Sequence, residues 1–124
     1  KTAVVTSSNH EKMRNVAAKV PHLLALFDRI LTAEDFSASK PAPDCYLLGA
    51  STFGAPIDRC VVFEDAPNGL QAGMSAGIFT IGLATGYPGD VLGKLCHHTE
   101  PDFLGMNYER ACQLLAEHNA RKKA

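Results

Sequence analysis

Two adjacent carboxylates, Glu64 and Asp65, follow directly on the apolar run Cys60-Val61-Val62-Phe63, and Pro67-Asn68-Gly69 opens a helical segment just beyond them. A short β-branched and aromatic run bounded in this way reads as a buried strand. Carboxylates at the carboxyl end of a strand, ahead of a helix, lie where open α/β sheets bind ligands. Hard oxygen donors there suit Mg²⁺, which takes one or two carboxylates and keeps places for water and phosphate. The competing reading makes the pair a helix cap that complements the positive helix end. The dipeptide by itself does not separate the two.

Two further groups belong in the same account. Thr6 and Ser7 follow the strand-like run Thr2-Ala3-Val4-Val5, and Lys40 opens Lys40-Pro41-Ala42-Pro43. A hydroxyl with free backbone N–H groups at a helix start makes an anion site. A lysine adds a compact positive charge for a phosphate oxygen, and a divalent ion on Glu64 and Asp65 would neutralise the phosphate from the other side. Each has a plainer reading: Thr6 and Ser7 as caps, Lys40 as a solvated loop residue. Their conjunction reads as a phosphoryl-transfer site, where catalysis is mostly positioning and charge stabilisation.

The elements that must position these groups alternate. The strand Thr2 to Val5 leads through Thr6-Ser7-Ser8-Asn9, with Ser8 or Asn9 as cap, into a helix from His10 to Val20 that stops at Pro21. An apolar turn, Leu23 to Phe27, precedes a short strand at Asp28 to Thr32. The prolines keep Lys40 and Ala42 out of helical geometry and Pro43 suits a first helical turn. A helix from Asp44 to Phe53, with Tyr46, Leu47 and Ala50 on one face, ends at Gly54. After the Cys60 strand, a helix from Asn68 stops at Gly77 and a strand spans Ile78 to Leu83. A short helix at Asp90 to Leu95, a degenerate edge strand within Cys96 to Asp102 and an amphipathic helix from Arg110 to Ala120 complete the chain. Strands alternating with helices predict an α/β fold, a Rossmann-like parallel sheet with flanking helices, whose strand ends share one crevice.

The 124 residues are 46% hydrophobic and 20% charged with a formal net charge of −1, the profile of one globular domain. That balance argues against nucleic acid or an anionic membrane surface as a partner. Cys45, Cys60, Cys96 and Cys112 have no CxxC spacing, which predicts free thiols, with Cys60 and Cys112 in apolar surroundings, and a cytoplasmic setting. No apolar run reaches membrane-spanning length, and no signal-peptide pattern occurs. Cys96-His97-His98 suggests a metal site only weakly, because adjacent residues on a strand point apart.

The segments Val4-Val5-Thr6-Ser7-Ser8, Lys40-Pro41-Ala42-Pro43-Asp44 and Val62-Phe63-Glu64-Asp65-Ala66-Pro67-Asn68-Gly69 resemble motifs II, III and IV of the haloacid dehalogenase superfamily, in the family's order and with the spacing of its phosphatase and phosphomutase branch. The resemblance implies Mg²⁺-dependent hydrolysis of small phosphomonoesters, of the sugar- or nucleoside-phosphate type, through an aspartyl-phosphate. Thr6 and the Ser7 amide would bind the phosphoryl group, Lys40 would bridge phosphate and nucleophile, and Asp65, with Glu64 beside it, would hold Mg²⁺.

One motif is missing. The family's motif I, a strand ending in DxDGT or DxDxT, has no counterpart here; Asp28 sits in Phe27-Asp28-Arg29-Ile30 and Asp35 in Glu34-Asp35-Phe36. Residues 1–124 are therefore expected to form the C-terminal part of a core domain, incomplete at its N-terminal side. The nucleophile and a substrate-selecting cap would lie outside them, and the absent strand belongs between the Thr6 and Glu64 strands. The expected partners are a small phosphorylated metabolite and the segment that fills the sheet. Such a piece alone is expected to be inactive. A β-phosphoglucomutase-like phosphomutase and a non-catalytic binding or regulatory remnant remain as alternatives. A receiver-like signalling module is disfavoured, since there the acidic pair leads and the lysine trails.

Overall fold

The structure is a computed structural model and describes residues 1–123. Strand β1 (Ala3–Val5) is followed by helices α1 (His10–Lys19) and α2 (Pro21–Leu24), strand β2 (Arg29–Leu31) and helix α3 (Asp44–Thr52). A 3₁₀ turn at Ile57–Arg59 precedes β3 (Val61–Glu64), α4 (Pro67–Ser75), β4 (Phe79–Leu83), α5 (Gly89–Leu92), β5 (His98–Glu100) and α6 (Tyr108–Lys123). The expected alternation holds, and every strand pairing is parallel.

The strands form two sheets, divided between β1 and β3, where the sequence leaves room for an absent strand. β1 pairs with β2, with Val4 opposite Ile30, while β3, β4 and β5 form a three-stranded sheet in that order. Among the described residues no ladder joins β1 to β3, so each is the edge of its own sheet.

Local signals explain most boundaries. Asn9 caps α1, its side chain accepting the Lys12 N–H at 2.8 Å. Gly54 takes φ = 61° after α3, and the Gly54 and Ala55 N–H groups close back on Ser51 and Ala50, a left-handed cap that favours glycine. Two placements differ from expectation. Leu47 is exposed and Cys45, fully buried, takes the inward place beside Tyr46 and Ala50, because the face of α3 that meets Val62, Ala72 and Ile78 runs through Cys45 and Tyr46. Cys112 lies exposed on α6, whose inward positions are Leu114 and Leu115.

β4 is buried along its whole length, as a central parallel strand covered on both faces must be. Its two faces meet different neighbours. Phe79 and Ile81, with Val61 and Phe63, pack against Leu114 and Leu115 of α6, whereas Val62 packs with Cys45, Tyr46, Ala72, Ala76 and Ile78. Helix α4 approaches the sheet through Gly69 and Gly73, four residues apart on one face. A methyl group at Gly73 would overlap the Thr80 hydroxyl, and Thr80 is fully buried with its Oγ1 donating to Ile78 O at 2.9 Å. Gly73→Ala is therefore expected to lower unfolding free energy by about 1–3 kcal/mol, read as a reduced urea midpoint with unchanged slope.

On the α6 side, His97 and His118 lie with ring centroids 4.4 Å apart, and His118 stacks on Phe79 at 4.6 Å. The His97 backbone N–H donates to Thr80 O at 3.0 Å and the Thr80 N–H returns a bond to His97 Nδ1, also at 3.0 Å. That nitrogen must therefore be unprotonated. Burial, and then the neighbouring cations His118 and Lys122, hold the His97 pKa below its ordinary 6.5. Burial, Lys122 and Arg121 do the same to His118. A lowered histidine pKa means the unfolded chain takes up the proton first, so the stabilisation is present above about pH 6.5 and is lost as the pH falls through the lowered values. Unfolding free energy is expected to drop between pH 7 and pH 5, and His118→Gln should shallow that slope in denaturant titrations at each pH.

Candidate functional site

Val5 ends β1, Glu64 ends β3, and Lys40 stands four residues before α3. Lys40 joins the two strand ends. Its Nζ donates to Val5 O at 3.1 Å and pairs with Glu64 Oε1 at 2.5 Å. Tyr46, in the first turn of α3, donates its hydroxyl to the same Oε1, and Lys40 Nζ lies 5.2 Å from the centroid of the Tyr46 ring. The Lys40 and Glu64 side chains keep only 12% and 11% of their exposure. Burying two charges costs several kcal/mol per ion unless good geometry and further hydrogen bonds compensate. Here the carboxylate has two donors on one oxygen, and the ammonium has two acceptors and an aromatic face.

Helix α4 supplies the seat of Glu64. Gly69 is the third residue of that helix, and a methyl group there would overlap the Glu64 carboxylate. The missing side chain lets the carboxylate lie against the first turn of α4, where the helix dipole favours a negative charge. Burial first, then the Glu64 carboxylate, pushes the Tyr46 phenol far above its usual range, so it remains a donor at any physiological pH. Burial also raises the thiol of Cys45, which leaves it protonated and unsuited to be a nucleophile.

The remaining expected residues stand around this cluster. The Thr6 N–H donates to Leu31 O at 3.0 Å, continuing the β1–β2 ladder, and Thr6 Oγ1 accepts the Ser8 N–H at 3.1 Å. Ser7 is exposed at the tip of that turn, and Asp65 is exposed one residue beyond β3. The structure thus brings Lys40 and Glu64 together at the end of β1, beside Thr6, with Ser7 and Asp65 facing solvent. Tyr46 belongs to the cluster but was read only as an apolar-face residue. The available signal was chemical: a buried tyrosine hydroxyl needs a partner, and the helix bearing it begins just after Lys40.

Other titratable groups are engaged elsewhere. His10 lies between acids of the loop after β2, with Nδ1 2.9 Å from Glu34 Oε2 and Nε2 3.5 Å from Asp35 Oδ2. Asp35 itself accepts the Thr32 N–H at 2.7 Å, the main reason its carboxyl is held below the ordinary value. Cys96 Sγ lies 3.1 Å from Leu92 O and 3.2 Å from His98 O, either of which can take its single S–H, and His98 Nε2 lies 3.3 Å from Glu100, which also takes Arg110 Nη2 at 2.6 Å. Among the described residues no three His, Cys, Asp or Glu side chains are grouped to hold an ion.

Comparison with known proteins places this geometry in context. The family description "haloacid dehalogenase-like hydrolase" matches residues 1–77. Glycerol-1-phosphate phosphohydrolase 1 of Saccharomyces cerevisiae is 38% identical over 101 residues, covering 74% of this chain and 39% of the yeast protein. A crystal structure of a HAD hydrolase, family IA, variant 3, from Entamoeba histolytica superposes with a TM-score of 0.80 at 28% identity, covering 92% of this chain and 52% of that one. A β-phosphoglucomutase-like structure from Thermotoga maritima gives a TM-score of 0.69 at 25% identity over 79% of this chain and 46% of that one. The chain spans less than half the length of the curated relatives it matches.

Removing the cation tests the electrostatic account. Lys40→Met leaves the buried Glu64 with Tyr46 as its donor, and is expected to cost about 3 kcal/mol of stability, measured by urea unfolding at pH 7. A loss under about 0.5 kcal/mol would mean the pair behaves as a solvated surface contact.

Proposed function

Because this chain belongs to the haloacid dehalogenase-like hydrolases, we propose that it forms the phosphate- and metal-binding half of a Mg²⁺-dependent phosphatase of small phosphomonoesters. The observation that carries this reading is the Lys40 ammonium held between Val5 O and Glu64, at the ends of β1 and β3, which no ladder joins among the described residues. Lysine carries three N–H donors, and two of them have acceptors. The third, in this reading, is left for a phosphate oxygen.

In this reading the Thr6 hydroxyl and the Ser7 backbone N–H hold the phosphoryl group at the mouth of α1. Lys40 neutralises its charge, and orientation comes from Glu64 and Val5 rather than from the substrate. Asp65 offers an exposed carboxylate, and Glu64 keeps one oxygen beyond the one shared by Lys40 and Tyr46. This donor set fits Mg²⁺, which takes one or two carboxylates and completes its shell with water and phosphate. When bound, Mg²⁺ supplies charge neutralisation at the phosphate oxygens. With so few protein ligands in this chain, the ion should bind it weakly.

The phosphoryl acceptor is an aspartate on a strand ending in DxD, supplied from outside residues 1–124 and seated between β1 and β3. Loss of a covalent nucleophile costs about 10⁶-fold in kcat, so this chain alone should barely turn over. Sugar, polyol and nucleoside phosphates are the substrate class, in line with the yeast relative, whose name specifies glycerol-1-phosphate. The Thermotoga neighbour keeps a phosphomutase as the second reading.

The test uses a full-length protein that contains this chain and a DxD strand. It is expected to hydrolyse small phosphomonoesters, to stop in EDTA and to recover with Mg²⁺. Turnover that survives EDTA would sink the proposal, and Glu64→Gln or Lys40→Met should lower kcat/KM by at least 10²-fold.

A further inference from the structure

We propose that the Tyr46 hydroxyl is a positioning group that keeps one N–H of Lys40 available for phosphate, by taking a share of the Glu64 carboxylate that Lys40 would otherwise satisfy alone. This rests on the phosphatase reading above and adds a residue to it. Three observations support it. Tyr46 is buried, with 8% of its surface exposed, on the α3 face that packs against Val62, Ala72 and Ile78, so its ring has no freedom to leave the cluster. Its hydroxyl and the Lys40 ammonium converge on the same oxygen, Glu64 Oε1. The Glu64 carboxylate is held against Gly69, so it cannot swing away to find other donors.

The consequence follows from counting donors and acceptors. An ionised carboxylate seeks several hydrogen bonds and an ammonium offers three N–H groups. With Tyr46 in place, Lys40 gives one bond to Val5 O and one to Glu64 and keeps a third. Without the hydroxyl, the half-satisfied carboxylate in a low-dielectric site draws a second donor from Lys40, and the ammonium turns away from the crevice. A phenylalanine would fill the same apolar space but lack this effect.

The experiment measures binding of inorganic phosphate to the full-length protein by titration calorimetry with Mg²⁺ present, for wild type, Tyr46→Phe, Glu64→Gln and the double variant. Tyr46→Phe is expected to weaken phosphate binding roughly tenfold, and to change it less than about twofold when Glu64→Gln is already present, since contacting groups couple. Equal losses in both backgrounds would mark Tyr46 as a packing residue and overturn the proposal. Unchanged binding in Tyr46→Phe would overturn it while leaving the phosphatase reading intact. A wild-type protein that binds no phosphate would take down both. Should Tyr46→Phe fail to fold, 3-fluorotyrosine placed at position 46, a stronger donor of nearly the same shape, is expected to bind phosphate at least as tightly as wild type. Weaker binding would overturn the proposal.

Discussion

One ammonium group holds the site together. Among the described residues the β1–β2 and β3–β4–β5 sheets share no ladder, and the hydrogen bonds Lys40 sends to Val5 O and Glu64 link their strand ends. Apolar contact of Val5 with the cluster around Cys45 and Val62 accompanies them. Hydrophobic packing is non-directional and sets proximity. A charge-assisted hydrogen bond is short and oriented, so it sets where the carboxylate and the ammonium stand. The arrangement also carries a liability, because a buried pair tolerates the loss of neither partner.

The same economy of space governs helix α4. Gly69 and Gly73 let the helix approach until the Glu64 carboxylate and the Thr80 side chain occupy the room that two methyl groups would have taken. One glycine therefore belongs to the site and the other to the core, on a single helical face. The opposite side of the sheet is built differently. There α6 packs with Leu114 and Leu115, and its His118 stacks on Phe79 against His97, which makes that contact sensitive to protonation.

Legibility in the sequence followed the range of the interactions. A cap at Ser8 or Asn9, Gly54 and Gly77 as helix ends, and the apolar runs of β3 and β4 were readable because each depends on neighbours a few residues away. The faces of α3 and α6 were misread at Leu47 and Cys112. Both are apolar residues near the edge of a helical stripe, and only the packed partner decides which edge turns inward. The division between β1 and β3 was legible from the order of the motifs rather than from any local pattern, since the strand expected between them is not among these residues.

For the candidate site, the residue types and their order mark Thr6, Ser7, Lys40, Glu64 and Asp65 as candidates, since a phosphate site would need a hydroxyl, a cation and hard oxygens at strand ends. Sequence alone also determined the parallel α/β class, because alternating strands and helices of this length connect in few ways. The tertiary structure decided how those groups are used. It set Glu64 against Lys40 and Tyr46 instead of leaving it beside Asp65 at the rim, and it brought Tyr46 into the site at all. The physical reason is separation along the chain. Lys40 and Glu64 are 24 residues apart and Lys40 and Val5 are 35 apart. Contacts of that span are chosen by the packing of α3 and α4 on the sheet.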